Sequence, residues 1–261
     1  MLDNPSRNYN IIIVTRNSSV MIESCVKSLL QYAPEAEIII IDNNSSDKTV
    51  EIIKSFKGIT LIENKSNVGF ATACHQGVSV TEKDSLLFLN PDAIITNNIF
   101  KQVEELFKED NKIGIIGPQL VYEDMRHQHS VRKFPDLKSQ IIMFFKIDHI
   151  FKNIRSVNEY LLNDFDYGKM KEVDQVMGAF FVTKRELWER VGGFDKRFFI
   201  WFEEVDYCYM IKKLGYKVIY APIGPVIHGL GKSFFQESII KKQFWFFSSM
   251  IKYFLKRVTN G

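Results

Sequence analysis

Hydrophobic residues in the first part of the chain come in short unbroken runs separated by stretches with helical spacing. "NIIIV" (Asn10–Val14), "EIIII" (Glu37–Ile41), "ITLIE" (Ile59–Glu63), "SLLFL" (Ser85–Leu89) and "KIGIIG" (Lys112–Gly117) have the length and apolar content of strands buried on both faces. After the first run, Met21/Ile22, Cys25/Val26 and Leu29/Leu30 mark one face of a helix; Ser18 is its candidate cap and Pro34 ends it. Helices are also predicted over about 47–56, within "NVGFATACHQGVSV" (67–80) and over "NIFKQVEELF" (98–107). Strands alternating with helices imply βαβ units with right-handed crossovers, hence an α/β fold with a mostly parallel central sheet flanked by helices.

The second part is less regular. Ile141, Ile142, Phe144, Phe145, Ile150, Phe151 and Leu161 fall in predicted helices, and "VDQVMGAFFVTK" reads as one or two strands. Glu186–Val191 read as a short helix before Gly192-Gly193. "VDYCYMIKKLGYKVIYAP" reads as a helix, a stop at Gly215 and a strand. The last thirty residues form an amphipathic helix. The pattern shows no clean boundary, so residues 1–231 are read as one unit with halves at about 8–118 and 119–231, followed by the C-terminal helical segment 232–261.

A chain of 261 residues with 46% hydrophobic and 25% charged residues can bury a full core, and a net charge of +3 selects no partner. No window reaches the roughly 18 apolar residues of a membrane span, and "MLDNPSRNYN" lacks the apolar run of a signal peptide. Cys25, Cys74 and Cys208 form no CxxC pair. They are expected to be reduced, core-packing thiols of a cytoplasmic protein.

Four polar loops follow predicted strands: Thr15-Arg16-Asn17, Asp42–Asp47, Asn64–Gly69 and Asn90-Pro91-Asp92. In an alternating sheet they emerge at one edge, where ligands bind. Asp47 is placed either to cap the next helix or to meet a ligand; Asp42 lies too far upstream to cap and is expected to be free for a base or sugar. The chain has neither GxGxxG after the first strand nor GxxxxGK[ST], which argues against a dinucleotide oxidoreductase and a P-loop NTPase. A diphosphate would then need a metal ion or basic side chains, and Asp92 is a candidate hard ligand for Mg²⁺ or Mn²⁺.

Further on, Glu203, Glu204 and Asp206 follow Phe198, Phe199, Trp201 and Phe202. Such acids either offset a helix dipole or, beside apolar surface, acquire the raised pKa of a general base. His228, at the end of an apolar run in "PVIHGLGKSF", is either structural or a second ligand beside Asp92.

In order and spacing, "IIIVTRN", "IIIIDNNSSD", "NKSNVGFATACHQG", "LFLNPDA", "GAFFVTKRELWERVGGFDKRFFIWFEEVDYC" and "VIHGLGKS" resemble family 2 glycosyltransferases of the GT-A fold, over about residues 10–233. "HSVRKFP" (His129–Pro135) and "LNPD" look most like the bacterial rhamnosyltransferases of O-antigen and related surface polysaccharides. The resemblance implies inverting transfer from a nucleotide-sugar donor, foremost dTDP-β-L-rhamnose, to a glycan or polyprenyl-diphosphate-linked acceptor, with no nucleic-acid partner. It makes residues 8–118 the nucleotide-binding half and 119–231 the acceptor-facing half. It places Thr15, Asn17, Asp42, Asn44, Asn67, Gly69, Asn90 and Asp92 along the nucleotide sugar. Asn90-Pro91-Asp92 stands where the family has Asp-x-Asp, so Asp92 carries most of the metal load, with His228 as the further ligand of Mg²⁺ or Mn²⁺. Glu204 takes the position of the family's catalytic Asp, with Glu203 in reserve; Arg132, Lys133, Trp201 and Asp206 are assigned to acceptor or phosphate contact.

The C-terminal segment holds Lys232, Lys241, Lys242, Lys252, Lys256 and Arg257 against Glu237, with Phe244, Phe247, Ile251, Phe254 and Leu255 at helical spacing. It reads equally as a helix packed on the core or as a basic amphipathic helix on anionic lipid, peripheral at the inner face of a bacterial plasma membrane. Two other functional readings remain beside the rhamnosyltransferase: a same-fold transferase using a UDP- or GDP-hexose, and a catalytically degenerate transferase-like binding subunit, which Asn90 keeps open.

Overall fold

The computed structural model describes residues 5–151, 154–229 and 238–259. After a single turn at Pro5–Asn8, β1 (Tyr9–Thr15), α1 (Ile22–Tyr32), β2 (Glu37–Asp42), α2 (Thr49–Lys54), β3 (Ile59–Glu63), α3 (Phe70–Ser79) and β4 (Ser85–Leu89) alternate as expected. Then come β5 (Ala93–Ile95), α4 (Phe100–Glu109), β6 (Ile113–Gly117), β7 (Leu120–Val121) and β8 (Val131–Arg132). Three helices follow, α5 (Leu137–Phe144), α6 (Ile147–Ile150) and α7 (Arg155–Leu161), and then the strands β9 (Lys171–Val173), β10 (Gln175–Val176) and β11 (Phe180–Lys184). The chain closes through α8 (Arg185–Val191), α9 (Glu203–Lys213), β12 (Lys217–Tyr220), β13 (Val226–His228) and α10 (Ile239–Thr259).

The main sheet has the order β3-β2-β1-β4-β11-β6-β12-β9. β1 to β4 are mutually parallel and β12 runs parallel to β6, whereas β11 is antiparallel to both β4 and β6, and β9 is an antiparallel edge. The sheet is therefore mixed but mostly parallel. Period-two alternation divides its side chains between two layers. Ile11, Ile13, Leu87 and Leu89 pack with Cys25 and Leu29 of α1 and Phe100 of α4. Ile12, Ile39, Ile41 and Phe88 pack with Cys74 of α3, Trp188 of α8 and Cys208 of α9. All three cysteines are buried and unpaired, as the sequence predicts.

Local chemistry changes some helix starts. Ser18 caps α1 with its carbonyl, which accepts from the Met21 and Ile22 N–H groups; its hydroxyl turns back to Arg16 O. Asp47 fulfils the capping reading: Oδ1 accepts from the Thr49 N–H at 3.0 Å, while Oδ2 holds the Ser19 N–H at 3.1 Å.

Both readings of the C-terminal helix find a face on α10. Met250 and Tyr253 are buried with Phe198, Phe202 and Val205, and Phe254 packs against the same cluster. Ile240, Phe244, Phe247, Ile251, Leu255 and Val258 form an exposed apolar stripe at steps of three or four residues. Among the described residues no helix is long and apolar enough to cross a membrane. Lys232, Glu237 and the boundary read at 231/232 lie outside the described residues.

Candidate active site

The ends of β1, β2 and β3 sew the polar loops together. The Asn43 N–H donates to Thr15 O at 2.8 Å and the Asn64 N–H to Asp42 O at 2.9 Å, extending the parallel ladder beyond the strands. Asn17 has a φ of 50°, and its N–H donates to Ser45 Oγ while its Oδ1 accepts from the Ser46 N–H, each at 2.8 Å. Asp42 is buried and accepts from both the N–H and the hydroxyl of Ser45. The expectation of a free Asp42 is therefore corrected, because the carboxylate folds its own loop. Asn44 is exposed at the tip, with a φ of 63°. Thr15 Oγ1 is buried without a hydrogen-bond partner at the end of β1.

Asn67 Oδ1 accepts from the Gly69 N–H at 3.0 Å. Gly69 has a φ of +86°, and a Cβ there would lie 2.7 Å from Phe199 O. The same carbonyl accepts from the Phe70 N–H at 2.7 Å. The glycine is thus required by the close passage of the loop leading to α9, a reason no local sequence pattern reveals.

At the end of β4, the Asn90 N–H donates to Ala179 O at 3.0 Å and the chain turns at Pro91 to leave Asp92 buried. Pairing of β13 with β5 sets His228 opposite Ala93 and so brings it beside that acid. His228 Nε2 lies 3.4 Å from Asp92 Oδ1 and 3.2 Å from Asn90 Nδ2, and Nδ1 lies 3.0 Å from Gln128 Oε1. Tyr122, Glu123, Asp124, His228 and Gly229 line a cleft of about 290 Å³ alongside. Among the described residues no group of three or more His, Cys, Asp or Glu side chains forms a metal cage. A carboxylate and an imidazole suit a divalent cation that completes its shell with substrate phosphate and water oxygens.

The other side of the site is set by α9. Trp201 and Phe202 precede it with φ values of 62° and 72°, a left-handed pair of bulky residues that costs about 1–3 kcal/mol each. Packing against α10 holds them there: Phe202 lies 5.4 Å from the Phe246 and Tyr253 rings, and Trp201 lies 6.0 Å from Phe246. The turn lays Glu204 on Gly178, where a Cβ would meet its Cγ at 3.5 Å. Gly178 adjoins Ala179, the hydrogen-bond partner of Asn90, so Glu204 and the Asn-Pro-Asp turn share one sheet edge. Glu204 Oε2 and Arg132 Nε are both buried without hydrogen-bond partners. Burial pushes the Glu204 carboxyl up, and the charge of Arg132 opposes it.

The remaining assignments separate. Glu203 is buried near Cys74 of α3, its Oε2 likewise without a hydrogen-bond partner, and burial followed by the Glu204 charge holds its carboxyl well above the usual range. Asp206 turns to α10, where it pairs with Lys256 at 2.7 Å and Arg257 at 2.6 Å, and it is not an acceptor contact. Trp201 packs on Phe246 in the cluster beneath α10. Lys133 is exposed and raises its charge near Glu159 of α7, leaving Arg132 as the basic side chain toward Glu204. Sequence reasoning passed over Gln128 and Gly178; Gln128 directly precedes the "HSVRKFP" stretch, but its partners are distant in sequence.

Known proteins agree with this architecture. The chain is 24% identical over 259 residues to the rhamnosyltransferase WbbL of Escherichia coli K12, covering 95% of this chain and 92% of that protein. It is 21% identical over 231 residues to the N-acetylglucosaminyl-diphospho-decaprenol L-rhamnosyltransferase of Mycobacterium tuberculosis, covering 84% and 75%. Among solved structures, the mannosyltransferase PcManGT of Pyrobaculum calidifontis, in complex with GDP-Man and Mn²⁺, superposes with a TM-score of 0.66 at 17% identity, covering 97% of this chain and 65% of that one. GalNAc-T7 with UDP, GalNAc and Mn²⁺ gives 0.61 at 18% identity, covering 84% and 42%. The chain thus spans less than two thirds of either solved chain. These neighbours share the GT-A fold. The model of glycosyl transferase family 2 matches residues 10–190, more than half of the chain, which therefore belongs to that family and is a glycosyltransferase.

Proposed function

We propose that the protein transfers L-rhamnose from dTDP-β-L-rhamnose, with inversion, to a saccharide carried on a lipid diphosphate in bacterial surface-polysaccharide synthesis. The observation that carries the transfer chemistry is the shared sheet edge: Asp92 and His228 at one end of it, Glu204 at the other. The two rhamnosyltransferase relatives support the sugar, and the mycobacterial one supports a lipid-diphosphate acceptor. The exposed stripe of α10, bordered by Lys241 and Lys252, supports residence at the inner face of the plasma membrane, in the cytoplasm.

Asp92 and His228 would hold Mg²⁺ or Mn²⁺, which supplies charge neutralisation for a departing diphosphate. Asp92 would bring a carboxylate oxygen and His228 an imidazole nitrogen. Thr15 Oγ1 and the loops around Asn17, Asn44 and Asn67 border the nucleotide. Glu204 accepts the proton of the acceptor hydroxyl as that oxygen bonds to the anomeric carbon and the bond to the diphosphate oxygen breaks. One displacement inverts the centre, so one base suffices. The charge of Arg132 favours the ionised form of Glu204 against the opposing effect of burial.

The test is transfer from a panel of dTDP-, UDP- and GDP-sugars to a polyprenyl-diphosphate glycan, with Mn²⁺, with Mg²⁺ or with chelator, and with Glu204→Gln as control. Metal-dependent transfer from dTDP-rhamnose, lost in the control, is expected. Use of a UDP- or GDP-hexose instead would replace the donor, and nucleotide binding without transfer from any donor would make the protein a degenerate binding subunit.

A further inference from the structure

We infer that Gln128 is a positioning residue that fixes the tautomer of His228, placing the hydrogen on Nδ1 and leaving Nε2 bare for a cation held together with Asp92. The Gln128 side chain is 1% exposed, between β7 and β8. Its Nε2 lies 2.6 Å from His228 O and 3.2 Å from Val121 O. Both partners are carbonyl oxygens, which only accept, so the amide NH₂ must face them. The amide oxygen is then left facing His228 Nδ1 at 3.0 Å, and an amide oxygen also only accepts. Nδ1 must therefore carry the hydrogen. A neutral imidazole has a single N–H, so Nε2 is the bare nitrogen. Asn90 agrees, with its amide Nδ2 3.2 Å from Nε2 and able to donate to it.

One side chain thus does two jobs. It bonds backbone carbonyls on β7 and β13, which are parallel neighbours, and so holds the strand that carries His228. It also orients the ring. A ring with its hydrogen on Nδ1 and a bare Nε2 is the form in which Nε2 can bind a cation. With Asn at position 90, one carboxylate of the Asn-Pro-Asp turn stands beside the ring, and correct presentation of His228 matters correspondingly more. This second step rests on the proposed cation role of His228; the tautomer does not.

Long-range ¹H–¹⁵N spectra of the full-length, metal-free protein, labelled at histidine and recorded at mildly alkaline pH, read the tautomer directly, with His228→Ala identifying the signals. A protonated Nδ1 and a bare Nε2 are expected for His228; a protonated Nε2 would overturn the inference. Mn²⁺ affinity is then measured in the presence of a nucleoside diphosphate by electron paramagnetic resonance, beside urea unfolding. Gln128→Ala should weaken Mn²⁺ binding by about 10- to 100-fold. Gln128→Glu, which keeps an acceptor oxygen for Nδ1, should recover most of it. If His228→Ala weakens Mn²⁺ binding while both Gln128 variants bind as the wild type does, positioning by Gln128 is refuted. If His228→Ala itself changes nothing, the cation role of His228 falls, whatever the tautomer spectra show.

Discussion

The Asp206 carboxylate accepts a 2.6 Å hydrogen bond from the Arg257 guanidinium and so ties α9 to α10. Lys256 adds a second bond at 2.7 Å, and the Arg257 guanidinium lies 3.7 Å from the Tyr209 ring centroid. The three charged side chains are 3%, 15% and 13% exposed for Asp206, Arg257 and Lys256. Asp206→Ala leaves the buried Arg257 guanidinium without its carboxylate, while Lys256 keeps Asp195 at 2.8 Å, and should cost about 3–5 kcal/mol, read from urea unfolding at neutral pH. A cost below about 1 kcal/mol would show a pair screened like a surface ion pair.

Glu204 is pushed up by burial, with Arg132 opposing. A general base acts deprotonated, so kcat/KM should fall as pH drops through that raised pKa. Arg132→Met removes the opposing charge and should move the acidic limb to higher pH, while Glu204→Gln should reduce transfer by about 10²- to 10⁴-fold at all pH values. An acidic limb unmoved by Arg132→Met would separate the two groups.

Glu203 titrates in the same direction, again chiefly through burial. Burial, then the charge of Glu204, holds its folded carboxyl well above the usual range, so the folded state keeps a proton that the unfolded state releases. That contribution to stability is complete below the ordinary carboxylate pKa and is lost as pH rises through the raised one. Unfolding free energies measured across this window should decline for the wild type and decline less for Glu203→Gln. Identical slopes would show that Glu203 is not the group responsible.

Membrane contact calls for surface substitutions, because truncating α10 would also remove Met250 and Tyr253 from the core. Phe244, Ile251 and Leu255 are 68%, 41% and 60% exposed. Their combined replacement by Ser should lower binding to anionic vesicles while each change costs within about 0.5 kcal/mol of stability. Vesicle binding equal to that of the wild type would remove the stripe from the lipid-contact reading.

The sheet is legible in the sequence because β1, β2 and β4 are buried on both faces, and an unbroken apolar run has few other places to go. The convergence of the four loops follows from parallel order alone. What the sequence hides is orientation. Glu203, Glu204 and Asp206 are alike in chemistry, yet α9 buries Glu203, lays Glu204 on Gly178 and turns Asp206 to α10. Asp42 reads as free because its partner, Ser45, competes from within the same loop. Gln128 carries no local signal, since its partners Val121 and His228 meet it only through the pairing of β7 with β13.

The 2.7 Å separation that a Cβ on Gly69 would have from Phe199 O makes one point of the chain a shared hinge. On one flank stands α3, behind the loop of Asn67; on the other, the turn that launches α9. A side chain at position 69 would have to push the Phe199 carbonyl aside and, through it, the hydrogen bond that this carbonyl accepts from the first residue of α3.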